Sequence, residues 1–259
     1  MGELERHFAA CNNAVLPGER LPFRVGAALV GWVRPAFARA LADFASISAG
    51  DGGVTLAAGA AGALEEIART LAEAGWYRWR NEAFDVRERP GAPVLGRVDR
   101  GALPAFGLLA EGVHVNGLVR RCDGLFLWVA RRAADKALDP GKLDHLVAGG
   151  VPAGMTPMET LIKEAAEEAA IPADMAARSV KVGEIEYAME RAEGLRRDLL
   201  HCYDLELPED FVPRAADGEV ESFELWPIGR VMERVRDTED FKFNVNLVLI
   251  DLFRRMGAA

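Results

Sequence analysis

Cysteine is scarce. Cys11, Cys122 and Cys202 are the three in 259 residues, far apart and without CxxC spacing. No disulfide framework is readable, and a reduced, intracellular chain is expected. Neither Cys122 nor Cys202 has an activating neighbour in its local sequence, and no Ser-His-Asp or Cys-His arrangement can be read. Long apolar runs are also missing: nothing approaches the roughly 18 residues of a membrane span. The opening "MGELERHFAACNNAV" has no apolar signal core. The cytoplasm is therefore the expected compartment, with no membrane partner. Positive charge is in deficit, with 31 Lys and Arg against 40 Asp and Glu and a net charge of −9. That argues against a nucleic-acid partner, since phosphate backbones attract basic surfaces. A basic pocket for a small anion remains compatible with it. There is no internal repeat and no low-complexity tract.

What is present is globular: half of the residues are hydrophobic and 27% are charged. The length suits one large domain or two modest ones. Residues 1–104 read as mainly helical. "ELERHFAACNNA", "RPAFARALADFA" and "GAAGALEEIARTLAEAGW" carry apolar residues at helical spacing, and Gly75 closes the third. "FDVRER" and "VLGRV" are strand candidates around Pro90-Gly91. No cluster that could carry chemistry stands out here. The segment could be a cap, a dimerisation element or a scaffold, so a homodimer stays open.

From Ala105 the chain turns strand-rich, with an Asp123-Gly124 hairpin signal between two apolar runs. The end, "FNVNLVLIDLFRRMG", reads as a helix whose two arginines suit the negative end of its dipole. The expected class is α+β: a mixed sheet sandwiched between helices over residues 105–259, preceded by a smaller α/β unit over 1–104.

One stretch between these strands carries chemistry, "VAGGVPAGMTPMETLIKEAAEEAAI", residues 147–171. Glycines 149, 150 and 154 permit a tight, close-approaching loop. Thr156, Pro157 and Glu159 form a helix start with a capping box. On that helix Glu164, Glu167 and Glu168 share a sector about 100° wide, beside an apolar sector of Met158, Leu161, Ile162, Ala165 and Ala169. A charge run of this kind is ordinarily a solvated face. Like charges one turn apart cost a few tenths of a kcal/mol, however, and only Lys163 offsets them. A divalent cation would reverse that sign, because hard cations take carboxylate oxygens.

Loop and helix together resemble the signature of the Nudix hydrolases, G-x5-E-x7-R-E-U-x-E-E-x-G-U, starting here at Gly149. Met155 stands for the first Glu of that pattern, Lys163 for the Arg and Ala170 for the last Gly. In the family the first Glu and the Arg are thought to brace loop against helix. The flanks "GVHVNG", "DPGKLDHLVAGGVPAGM", "CYDLELPEDFVP" and "GEVESFEL" are similar to a subgroup with an extra N-terminal domain. Fungal and plant members of it are linked to thiamine diphosphate and its oxidised analogues.

The resemblance implies hydrolysis of a small organic diphosphate to a monophosphate and phosphate. It implies Glu164, Glu167 and Glu168 as ligands for Mg²⁺ or Mn²⁺, and Glu168 or Glu221 as the general base, with Glu219 a further candidate. Arg131, Arg132 and Lys136 could meet phosphates, since a guanidinium fork suits phosphate oxygens; a surface hairpin is the plainer reading. His114 and Asn116, two apart and so on one face of a strand, could hydrogen-bond a substrate ring, or could be satisfied by neighbours. Gly149 and Gly150 would line the substrate. Trp128 and Trp226 are expected in the core, and Asp144 and His145 to be structural. Two other readings stay open: a pyrophosphatase for a nucleoside-diphosphate-linked substrate such as ADP-ribose or a nucleotide sugar, and a Nudix domain that binds without cleaving.

Overall fold

A computed structural model describes residues 2–136, 138–216 and 218–258; Met1, Ala137, Asp217 and Ala259 lie outside the described residues. The α+β class stands. After helix α1 (Gly2–Cys11) the chain forms strands β1 (Leu21–Val25) and β2 (Ala28–Val33), helix α2 (Pro35–Leu41), then strands β3 (Ile47–Gly50) and β4 (Gly53–Leu56). These strands make one sheet in the order β2-β1-β4-β3, with β1 parallel to β4. Helix α3 (Ala63–Glu73) follows, then a separate hairpin of β5 (Ala83–Val86) and β6 (Gly96–Asp99), and the short helix α4 (Leu103–Phe106). Helices α1, α2 and α3 and the β5–β6 hairpin match the sequence reading, and α4 is an addition to it. The four-stranded sheet was not part of a mainly helical expectation. Its strands are only four to six residues long, and "ISAG" and "GVTL" carry little apolar alternation.

This unit has its own core. Phe106 packs edge-on against Phe37 at 4.9 Å and tilted against Phe23 at 5.2 Å, with Leu41, Leu56 and Leu64 fully buried around them. Helix α1 does not join it. Leu4 and Phe8 pack with the C-terminal helices, Cys11 is buried beside Tyr187 and Cys202, and His7 Nε2 lies 2.8 Å from the Val235 carbonyl.

The second sheet is built from β7 (Leu109–Arg121), β8 (Gly124–Arg132), β9 (Leu143–Asp144), β10 (Val147–Gly150), β11 (Val180–Arg191), β12 (Gly194–Glu206) and β13 (Val220–Pro227). Its order is β11-β12-β7-β8-β13; β10 also pairs with β7, and β9 with β8. The long β7 and β12 run parallel, and their other partners are antiparallel. Helix α5 (Pro157–Ala169) lies on one face, where Leu161, Ala165 and Ala169 meet Val113 and Val115. The short α6 (Ala173–Ala176) follows it. Helices α7 (Ile228–Asp237) and α8 (Val245–Arg255) cover the other face, where Leu249 and Phe253 meet Leu118 and Leu127. Trp128 and Trp226 are buried, as expected. Among the described residues no helix is long and apolar enough to cross a membrane.

Candidate active site on helix α5

Helix α5 begins as its sequence dictates. Thr156 Oγ1 accepts from the Glu159 N–H, and Glu159 accepts from the Thr156 N–H. The glycine-rich strand β10 brings the backbone against the helix. A Cβ on Gly149 would lie 2.6 Å from Glu164 Cδ, so a side chain there would displace that carboxylate from its place against the strand. Glu168 is buried on the next turn, and its Oε2 accepts from the Ala148 N–H at 2.9 Å. Glu167 points outward and is half exposed.

The three carboxylates share one face but are held differently. Lys163 Nζ sits 3.1 Å from Glu164 Oε1 and 2.6 Å from Glu167 Oε2. The hydrogen bond to Glu167 above all pushes the Lys163 ammonium up to about 12. Burial raises the Glu164 carboxyl above the ordinary value, with Lys163 opposing. An ammonium thus already occupies a cation's place between two hard oxygen donors, and the donor set fits a divalent metal. Glu164, Glu167 and Glu168 are the residues that would hold one.

Beside Glu168, a small recess is lined by Ala130, Arg132, Lys136, Asp144, His145, Ala148, Glu219 and Val220. Lys136 is ion-paired with Glu219. Burial raises the Glu219 carboxyl, but the Lys136 hydrogen bond outweighs it and the net direction is down. The alternation expected to send Glu219 and Glu221 to one side is corrected by a register shift between Val220 and Ser222. Both are exposed, but Glu219 lines the recess and Glu221 does not.

The other sequence candidates are placed as follows. Arg132 spends its fork internally, on the Asp139 and Leu138 carbonyls and on Asp144 Oδ2 at 2.7 Å. Arg131 donates to the Gly141 carbonyl at 2.9 Å. His114 and Asn116 share a face of β7, as their spacing required, but it is the face turned away from α5, and both are buried. His114 Nδ1 meets His145 Nδ1 at 2.9 Å, and Asn116 donates to Asp204. A place against a substrate ring gives way to internal hydrogen bonding, because burial demands partners for these polar groups. Gly150 packs under Phe84 of β5.

His114, Asp144 and His145 form the one trio among the described residues whose ligand atoms lie within 4.8 Å of one another. Its electrostatics disfavour a metal. Asp144 is bound by Arg132 at 2.7 Å and faces Lys242 at 3.5 Å. Burial would raise its carboxyl, but Lys242 and Arg132 prevail and hold it well below the usual range. Burial lowers His145 to about 4 and His114 well below its ordinary value, so the pair is a neutral hydrogen bond at neutral pH.

Sequence reasoning missed the contribution of the first unit. Ala83, Phe84 and Asp85 of β5 touch the loop that joins β10 to α5. A cavity of about 210 Å³ opens between them, lined by Phe84, Arg87 and Arg89 on one side and Glu111, Val151 and Met155 on the other. Nothing local in "FDVRER" signals a partner so distant in sequence.

The comparisons agree with this architecture. The NUDIX domain family matches residues 111–245, and a domain of unknown function, DUF4743, matches residues 3–110. Nudix hydrolase 24, chloroplastic, of Arabidopsis thaliana is 41% identical, over 95% of this chain and 71% of the relative. Nudix hydrolase 20, chloroplastic, of the same plant is 39% identical, over 93% and 69%. Among solved structures, DR0079 from Deinococcus radiodurans is similar with a TM-score of 0.48 and 24% identity, covering 67% of this chain and 98% of that one. The chain belongs to the Nudix family. Within it, the protein is a hydrolase acting on diphosphate bonds of a small substrate, joined to an N-terminal DUF4743 unit.

Proposed function

We propose that this protein is a Mg²⁺- or Mn²⁺-dependent diphosphatase that cleaves thiamine diphosphate, or its oxidised analogues, to the monophosphate and phosphate. The carrying observation is the seating of Glu164 and Glu168 against Gly149 and Ala148 of β10, with Lys163 balancing Glu164 and Glu167. A bound dication would lower the pKa of a water and offset the charge that builds on the diphosphate oxygens. Glu168 is the proposed general base: it is buried beside the recess, and the Ala148 N–H orients its carboxylate through Oε2. Glu219 is the second candidate, since it lines the same recess. Lys136 lies there to meet a phosphate, whereas Arg132 acts by fixing residues 138–144.

The thiamine assignment rests on the flanking sequences quoted above. The cytoplasm is the proposed compartment, on the strength of three unpaired cysteines. Burial raises Cys11 and Cys202 to about 12, so neither thiol is a nucleophile at neutral pH.

Glu167→Gln should cut turnover by roughly a hundredfold or more with the fold retained. Parental rates in that variant would remove the metal role. Phosphate release from thiamine diphosphate, set beside release from ADP-ribose and nucleotide sugars, tests the substrate. A second reading draws on Lys163, whose ammonium already offsets part of the charge of Glu164 and Glu167: a domain that binds a diphosphate without cleaving it. Metal-independent binding by calorimetry, with no product over hours, would favour that.

A further inference from the structure

The loop between β10 and α5 sets the position of the carboxylate helix, and its backbone donors can be followed one by one. The Val151 N–H bonds to the Glu111 carbonyl, and Pro152 has no N–H. The Met155 N–H turns back to the Pro152 carbonyl, and the Thr156 N–H goes to Glu159. The two at the tip leave the second unit altogether. Ala153 N–H bonds to the Ala83 carbonyl at 2.8 Å, and Gly154 N–H to Asp85 Oδ2 at 3.1 Å.

Asp85 is itself held. Arg87 Nη2 approaches Oδ2 at 3.0 Å and Arg97 Nε approaches Oδ1 at 3.1 Å, and the carboxylate is only 10% exposed. The base of the hairpin is fixed as well, because buried Asp99 accepts from the N–H groups of Arg80, Glu82 and Gly101. Phe84 closes on the start of the loop, since a Cβ on Gly150 would lie 2.7 Å from its Cζ. The next residue back, Gly149, is the wall of Glu164. Met155, which offers no charge, lines the cavity against this same hairpin.

We propose that the β5–β6 hairpin of the N-terminal unit is the brace of the loop that leads into the carboxylate helix, with Asp85 as its positioning residue. The brace comes from another unit, 69 residues away in sequence. A charge-assisted hydrogen bond from a carboxylate held by two arginines fixes the loop tip, and the loop in turn fixes Gly149 against Glu164. This rests on the metal role proposed above for Glu164, Glu167 and Glu168.

The test uses the full chain without substrate. Asp85→Ala should speed amide hydrogen exchange in residues 149–156 and leave α3 unchanged. It should also weaken Mn²⁺ binding, measured by calorimetry with the metal alone, by about tenfold. Asp85→Asn keeps an acceptor oxygen and should recover part of both. If Asp85→Ala does not fold, Arg97→Ala, which removes a half-exposed guanidinium, should move both readouts the same way by a smaller amount. Parental exchange and parental Mn²⁺ affinity would overturn the proposal. Faster loop exchange with parental Mn²⁺ affinity would overturn the positioning role as well. Failure of the chain to hydrolyse any diphosphate would count against the proposed reaction, while the exchange and Mn²⁺ results would still decide the brace.

Discussion

On α5, Glu164 and Glu167 share one ammonium, Lys163; in the buried cluster beside β10, the single carboxylate of Asp144 answers to two cations, Arg132 and Lys242. The two groups contain similar residue types and lie near the same strand. Their balance is opposite. The first has negative charge to spare and faces solvent at Glu167. The second has positive charge to spare and is closed. A dication gains from the first arrangement and is repelled by the second, whatever the ligand-atom distances are. Crowding of histidine and aspartate is therefore a poorer guide to a metal than the sign of the charge left over. Lys242 also feels Glu168, so the positive excess of one group faces the negative end of the other.

The comparison can be broken most sharply at Glu168. Glu168→Gln keeps the shape and removes a proton acceptor; kcat should fall by about a thousandfold. A rate within a few-fold of parental would move the base to Glu219. Next in size is Asp144→Asn. It leaves Arg132 and Lys242 buried without their carboxylate and should cost about 3 kcal/mol in urea unfolding. If instead Asp144→Asn abolished binding of Mn²⁺ while stability held, the buried cluster would be the metal site.

Acid should separate the groups too. Burial depresses His145 to about 4 in the folded chain, against 6.5 for a free histidine. The unfolded chain thus takes up more protons in that window. Stability is full above the free value and is lost as pH falls toward the depressed one, so the Tm should be several degrees lower near pH 5 than near pH 7. His145→Gln should flatten that slope. The smallest effect is at the end of α5. Ala170 caps the helix in the left-handed region, with φ of 53°. Ala170→Gly should stabilise by about 1 kcal/mol, read from urea midpoints, with turnover unchanged.

Much of the site could be read from the chain because its determinants are local. The capping box and the shared face of Glu164, Glu167 and Glu168 depend on residues within about two turns of one another, where helical geometry fixes who meets whom, and the glycines before the helix mark a close-approaching loop. Glu221 was legible only as an acid in the correct strand, since the shift beside Val220 breaks the alternation that would have aimed it. His114 and Asn116 were correctly placed on one face, but which face meets α5 follows from how the sheet is covered.

The sequence by itself therefore determined the carboxylate helix and its loop, because periodicity and spacing act over a few residues, and the resemblance those residues carry pointed to the family. The tertiary structure alone decided that Asp144 is neutralised twice over, that α1 packs on the far unit and that Asp85 reaches the loop. Those outcomes depend on which surfaces are brought together and desolvated. Burial makes each polar group find a partner wherever the fold supplies one, however distant along the chain.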